Sequence, residues 1–458
     1  MIHNVAVIGL GKLGGTMAGC LASRGFNVVG VDMSQKAVDA LNAGRSPAQE
    51  RGLDDLIKKN KERLRATLSH EDAILNSDLS FVIVPTPSDQ QGAFTLQYVA
   101  FAFEAIGKAL AKRVGYHTVV LTSTVLPGST RYRLLPILER CSGKKCGVDF
   151  GLCYSPEFIA LGTVIRDYLN PDFYLVGEFD DRSGGTLESV YSRVALNNAP
   201  SKRMSLENAE LAKLSVNSFV TLKISFANML ADLCERIPGG DVDVVSDAIG
   251  MDKRIGRKYL TGGLGYGGPC FPRDNIALNF LGNQLKASTP LLEVNDHYNR
   301  TISTRLIEKL TSYLRSGSTI AVLGLAYKPL SHVIEESSGI GLCLALGNKG
   351  LRVVGYDPLV REEAQALLHM HALVTDSLAS CLQDAETILV TTPDEMFKTL
   401  TPEDCLGAKE AVTVVDFWRC MPESFRQHPK IRYVPIGRCT DDSSVARKLE
   451  QLYVGNPT

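Results

Sequence analysis

One stretch of this chain is written twice. Val5-Ala6-Val7-Ile8-Gly9-Leu10-Gly11, followed by Val28-Val29-Gly30-Val31-Asp32, returns as Ile320-Ala321-Val322-Leu323-Gly324-Leu325-Ala326, followed by Val353-Val354-Gly355-Tyr356-Asp357. In each copy an apolar run runs into a glycine, and a second apolar run ends in aspartate. Such runs suit strands buried on both faces of a parallel sheet, with a crossover helix between them. More runs follow each copy: Leu79 to Val84, Thr118 to Leu121 and Phe150 to Tyr154 after the first, and Ile388 to Thr391, Val412 to Val415 and Ile431 to Val434 after the second. The expected fold class is therefore α/β, with two Rossmann-like doubly wound parallel sheets. Between them Ser205 to Glu235 reads as one long helix, with apolar residues at Ala209, Leu211, Ala212, Leu214, Phe219, Leu222, Ile224 and Phe226. A helix that long and that apolar suggests a spine between the α/β domains and a seam for a homodimer.

The two copies differ in their turns. Gly9-Leu10-Gly11-Lys12-Leu13-Gly14 follows its strand directly and opens an Ala-rich helix. Glycines there allow a tight turn and let a pyrophosphate approach the helix N-terminus, whose free N–H groups and dipole hold its charge. Asp32, about 20 residues on, accepts from a ribose 2′-hydroxyl and repels a 2′-phosphate, which favours NAD over NADP. In the second copy Ala326 replaces the middle glycine and Tyr327-Lys328-Pro329 follows, so no second dinucleotide is expected. Lys328 can meet a phosphate or a sugar there. Thr86, Pro87 and Thr124 lie at carboxyl ends of strands, where they line the cofactor crevice or serve as ordinary turn and helix-starting residues. Glu157, in Ser155-Pro156-Glu157-Phe158, is either a helix-start charge or an active-site acid.

The most concentrated chemistry lies in Gly262-Gly263-Leu264-Gly265-Tyr266-Gly267-Gly268-Pro269-Cys270-Phe271-Pro272-Arg273-Asp274. That much glycine suits bare backbone pressed against a flat ligand. Arg273 and Asp274 put a cation and a carboxylate three and four residues past the Cys270 sulfur, where the cation favours thiolate and the acid can handle a proton. Lys213 and Asn217 interrupt the long apolar helix one turn apart, on a shared face.

Net charge −1 and pI ≈ 6.7 leave no global field to recruit nucleic acid or anionic lipid. No apolar run reaches membrane-spanning length and Val5 to Ile8 follows the N-terminus with no signal peptide, so a cytoplasmic protein is expected. Eleven scattered cysteines without a CxxC pair read as reduced thiols, and no pattern suggests a metal site.

In order and spacing, Gly9 to Gly14 with Asp32, Ser123-Thr124-Val125, Ser155 to Phe158, Glu210 to Asn217, Arg254-Ile255-Gly256, Gly262 to Asp274 and Gly324 to Pro329 together resemble the nucleotide-sugar dehydrogenase family over nearly the whole chain. The resemblance implies an NAD-binding domain over 1–200, a central helical dimerisation domain carrying the cysteine loop over 201–300, and a UDP-sugar-binding α/β domain over 301–458. It implies oxidation of a nucleotide-sugar C6 alcohol to the carboxylate, with two NAD⁺ reduced and Cys270 as the thiohemiacetal and thioester anchor. Lys213 and Asn217 would stabilise oxyanions, and Asp274, Glu157 and Thr124 would place water and move protons. Phe158, Tyr259, Tyr266, Gly267 and Lys328 would contact substrate, as would Arg254, reaching into a neighbouring subunit. Phe271 after the cysteine resembles the UDP-glucose branch, whereas the GDP-mannose branch usually has leucine. Leu161, Pro269 and Glu335 depart from the family's usual glutamate, serine and NAD-holding arginine. Alternatives are another nucleotide sugar, a single-step hydroxyacid dehydrogenase of the 6-phosphogluconate type, against which the second α/β unit argues, and a silent NAD-binding protein.

Overall fold

In the computed structural model, which describes residues 2–48, 50–159, 162–311, 314 and 317–454, the chain separates into two compact units, Met1–Val216 and Asn217–Thr458. Leu161, one of the expected departures from the family, lies outside the described residues. The first unit holds strands β1 (Asn4–Ile8), β2 (Asn27–Val31), β3 (Leu64–Thr67), β4 (Leu79–Val82), β5 (Thr118–Leu121), β6 (Gly151–Tyr154), β7 (Tyr174–Glu178) and β8 (Ser201–Ser205), in the order β3-β2-β1-β4-β5-β6-β7-β8. Neighbours are parallel except β6 and β7. The second unit holds β9 (Thr319–Leu323), β10 (Arg352–Tyr356), β11 (Leu373–Val374), β12 (Ala385–Val390), β13 (Val412–Asp416) and β14 (Ile431–Pro435), all parallel, in the order β11-β10-β9-β12-β13-β14.

Period-two alternation explains why these runs are apolar throughout. Val5 and Val7 enter one core cluster while Ala6 and Ile8 enter the other; Ile320 and Val322 part from Ala321 and Leu323 in the same way. Each sheet reverses direction beside its first strand, between β1 and β4 and between β9 and β12, which opens a crevice off the carboxyl ends. The same steric device closes both turns. A Cβ on Gly9 (φ +96°) would lie 2.0 Å from the Ile83 carbonyl oxygen, and one on Gly14 1.8 Å from that of Gly9. In the second sheet a Cβ on Gly324 (φ +106°) would lie 2.2 Å from Thr392 Oγ1, and one on Gly339 2.1 Å from the Gly324 oxygen.

The long helix is Leu206–Cys234, and it continues from the first unit into the second. Within the second unit the helix Val242–Gly250 is fastened to the loop after β13 by an ion pair. Arg419, whose side chain is fully buried, donates from Nε and Nη2 to the two Asp243 oxygens at 2.7 and 2.9 Å, and from Nη1 to the Phe417 and Ile436 carbonyls at 3.1 and 2.6 Å. Removing one partner of such a pair strands a buried charge, so Asp243→Ala is expected to cost about 3 kcal/mol of stability, read by chemical denaturation. An unchanged midpoint would show that the two carbonyls alone satisfy the guanidinium.

Candidate active site

The crevice off β1 and β4 tests whether a dinucleotide fits. Gly9 and Gly14 are fixed by protein atoms, but a Cβ on Gly11 would meet nothing within 4 Å. Gly11 is the N-cap of the helix Lys12–Ser23, so the one glycine not needed for packing leaves bare backbone at a helix N-terminus. Lys12 is exposed beside it and Leu13 half-buried. Asp32 Oδ2 accepts from Leu10 N at 2.7 Å and Oδ1 from Ser34 N at 2.8 Å, which aims the half-buried carboxylate across the turn. The crevice wall is tied together: Thr86, 6% exposed, donates to the Thr124 carbonyl at 2.8 Å, while Pro87 is exposed and Thr124 half-buried. These residues fit the cofactor.

The same unit holds Glu157 and Lys213. Lys213 Nζ donates to the Glu157 carbonyl at 2.6 Å and lies 4.6 Å from the Phe158 ring centroid. Glu157 Oε1 is buried with no hydrogen-bond partner among the described residues. Burial pushes the carboxyl up to about 7, against the opposing Lys213 charge. Glu210, another member of the quoted motifs, is a scaffold: it accepts from Gly128 N at 2.6 Å and Thr130 N at 2.8 Å.

In the second unit Cys270 is exposed at the N-cap of the helix Phe271–Gln284. Asp274, one turn in and 1% exposed, accepts from Asn217 Nδ2 at 2.6 Å and from Arg273 at 3.2 Å. Lys213 and Asn217 thus anchor to different partners, each within its own unit. The Tyr327 phenol is pushed up to about 12 by burial and then by Cys270, and Tyr259, half exposed, meets Phe271, the residue after the cysteine, edge-on at 6.2 Å. Lys328 Nζ lies 5.6 Å from the Tyr327 ring centroid. Arg254 is exposed and paired with its own Asp252 at 2.6 Å. Tyr266 is 6% exposed and turned toward Asp296 and Arg300.

The loop glycines correct the expectation of a bare floor for ligand. Protein atoms crowd all of them. A Cβ would come within 2.6 Å of the Ala227 oxygen at Gly262, 2.6 Å of the Phe417 oxygen at Gly263, 2.5 Å of Asn299 Oδ1 at Gly265, 2.0 Å of the Glu336 oxygen at Gly267, and 2.5 Å of the Tyr327 ring at Gly268. The glycines let the loop lie against its supports. Sequence reasoning missed those supports. Asn228 takes Gly263 N at 2.7 Å and donates to the Leu264 carbonyl at 3.1 Å, while Asn299 takes Tyr266 N at 2.8 Å and donates to the Tyr266 carbonyl at 2.9 Å. Asn228 carried a usable signal, a polar residue on an otherwise apolar stretch of helix; Tyr327 and Asn299 carried none.

An open glycine turn at a helix start on a doubly wound sheet is a dinucleotide-binding arrangement, and the second unit, by itself, holds an exposed cysteine at the start of a helix. Residues 3–195 match the NAD binding domain of the UDP-glucose/GDP-mannose dehydrogenase family, 207–301 its central domain and 321–423 its UDP binding domain. The chain belongs to that family, as an NAD-dependent nucleotide-sugar 6-dehydrogenase. It is similar to the GDP-mannose 6-dehydrogenase of Pseudomonas savastanoi pv. phaseolicola, 34% identical over 90% of this chain and 96% of that one. It is also similar to the UDP-glucose 6-dehydrogenase of Haloferax volcanii, 36% identical over 87% and 93%. A UDP-glucose dehydrogenase structure from Pyrobaculum islandicum, 31% identical, superposes with a TM-score of 0.86 over 96% of this chain and 98% of that one. No helix among the described residues is long and apolar enough to cross a membrane.

The contrast between Gly11 and Gly14 separates cofactor binding from folding. Gly11→Ala is expected to leave Tm unchanged and to weaken NADH binding about tenfold or more in a fluorescence titration. Gly14→Ala should fail to yield folded protein. Equal NADH affinity in Gly11→Ala would place the pyrophosphate elsewhere.

Proposed function

We propose that the chain oxidises the C6 alcohol of a UDP-hexose, UDP-glucose first, to the carboxylate, with Cys270 as the covalent anchor. The observation that carries this reading is Cys270 itself: exposed at a helix start, with the buried Asn217–Asp274 pair one turn away. Bound NAD⁺ supplies a hydride acceptor for each of the two oxidations. The Cys270 thiol adds to the C6 aldehyde to give a thiohemiacetal, and loss of the second hydride leaves a thioester. Water then adds at the thioester carbonyl, the sulfur leaves and takes up a proton, and the acid is released. Lys213 and Asn217, both held by short hydrogen bonds, stabilise oxygen as it becomes anionic. Asp274, Glu157 and Thr124 place water and move protons. Phe158, Tyr259, Gly267 and Lys328 contact the nucleotide sugar in this reading, with the half-exposed Tyr259 and Lys328 the better supported and the buried Tyr266 the less.

The match of 321–423 to a UDP binding domain and Phe271 after the cysteine support UDP-glucose. The GDP-mannose 6-dehydrogenase relatives, at 34% identity over 90% of the chain, favour GDP-mannose as the second reading. NADH production from UDP-glucose, UDP-galactose, UDP-N-acetylhexosamines and GDP-mannose decides between them, and two NADH per sugar are expected. Cys270→Ser should lose steady-state turnover by orders of magnitude while keeping NAD⁺ and sugar-nucleotide binding, because a hydroxyl supplies little anion at neutral pH. Near-normal release of two NADH by this variant would make Cys270 structural.

The same reading makes the protein a homodimer through the domain at 201–300. Phe219, Leu222, Phe226, Met229, Leu291 and Val294 line one apolar groove of about 490 Å³, with Arg254 at its edge. Phe219 is 63% exposed and Leu291 70%, more apolar surface than a free helix face ordinarily leaves in water. Phe219→Asp with Phe226→Asp is expected to give a monomer by light scattering. A wild-type monomer that turns over at assay concentration would overturn the dimer.

A further inference from the structure

The buried Oε1 of Glu157 shares the first unit's interior with a cluster of tyrosines that the reaction scheme does not use. These are Tyr168 of the helix Val164–Leu169, Tyr174 of β7 and Tyr191 of the helix Asp181–Val194, at 1%, 4% and 0% exposure. The rings of Tyr174 and Tyr191 stack at 3.9 Å, and the Tyr191 hydroxyl is 2.7 Å from Ser155 Oγ, two residues before Glu157. Tyr191 is satisfied by that contact. The hydroxyls of Tyr168 and Tyr174, like Glu157 Oε1, have no hydrogen-bond partner among the described residues. Two buried donors and a buried acceptor, each left unpaired, would cost several kcal/mol if they stayed so, roughly 1–3 kcal/mol apiece. The groups sense one another: burial first, and then the Glu157 charge, push the phenols of Tyr168, Tyr174 and Tyr191 up, and the Cys20 thiol to about 12. Lys213 holds the Glu157 main chain.

We propose that the hydroxyls of Tyr168 and Tyr174 donate, through bridging water, to the Glu157 carboxylate, and that these two tyrosines are positioning residues for the acid that takes the proton of the attacking water. Phenol donors suit the task because they stay protonated in this setting and can favour the carboxylate without delivering a charge of their own. The arrangement would also fix the orientation of the carboxyl. Its catalytic meaning rests on the proton-handling role proposed above for Glu157; its existence does not.

The test uses the full-length enzyme, with the Glu157 carboxyl band identified in infrared pH titrations by its loss in Glu157→Gln. Donors to a carboxylate lower its midpoint, so Tyr168→Phe and Tyr174→Phe should each raise it by roughly half a unit or more, and the double variant further. Replacing Tyr174 by 3-fluorotyrosine, a stronger donor of nearly the same size, should move it the other way. The acid limb of turnover, with whichever sugar nucleotide releases two NADH, should move with the carboxyl. A moving carboxyl with a fixed limb would remove Glu157 from the proton-handling role and leave the tyrosine–carboxylate contact standing. An unmoved midpoint in the folded double variant and in the fluorotyrosine protein would overturn the proposal.

Discussion

Both halves of this protein depend on backbone passing backbone with no room for a side chain. At the end of β1 and again at the end of β9, strand, turn and returning helix come so close that a single methyl group would overlap a main-chain oxygen or a threonine hydroxyl. Nothing in the surrounding helices can relieve an overlap with backbone, so glycine is the one residue the crossing accepts. The sheets share that crossing and use it differently. In the first, the second crowded glycine comes five positions after the first, the helix starts at once, and Gly11 is left open at its tip. In the second it comes fifteen positions later, and residues 325–337 run out between the two before Ser337 caps the helix.

The aspartates at the ends of β2 and β10 follow the same divergence. Asp357 is 6% exposed and its oxygens are taken by Leu325 N, Ala326 N and Leu359 N, all at 2.9 Å. Asp32 takes only Leu10 N and Ser34 N and stays half-buried. A carboxylate with unused lone pairs beside an open helix start can receive a ribose; one saturated by its own turn cannot. The inserted residues have other work. Tyr327 and the Glu336 carbonyl press on Gly268 and Gly267, so the residues inserted after β9 support the cysteine loop.

What could be read from the sequence follows from how local each cause is. Alternating burial gave away the inner strands, and the repeated glycines and aspartates gave away the two turns, because each signal lies within a few neighbouring residues. The strands not anticipated are of two kinds. β3, β8 and the two-residue β11 lie at sheet edges, and the Ser201–Ser205 run is polar enough to pass for a loop. β7 runs against β6, where the α/β alternation predicts nothing. The glycines of the cysteine loop were visible but their cause was not, since Phe417, Glu336 and Tyr327 lie far away in the chain. Cys270, Asp274, Lys213 and Asn217 were legible as chemistry, but their hydrogen-bond partners were not.

The buried carboxylates show how fold and function can be told apart. Asp416, fully buried, accepts from Trp418 N at 3.0 Å, Met421 N at 2.8 Å and the Tyr433 hydroxyl at 2.9 Å, and Glu210 accepts from two main-chain N–H groups. Each ties a turn to a strand or helix, and its donors offset the cost of burying it. Burial still dominates, for it lifts the Glu210 carboxyl to about 7 despite those donors. Glu157 is lifted as far, and its Oε1 accepts from no group among the described residues. That contrast is what favours Glu157 over Glu210 for the proton-handling role proposed above, since a carboxyl that braces a turn is already explained by the fold.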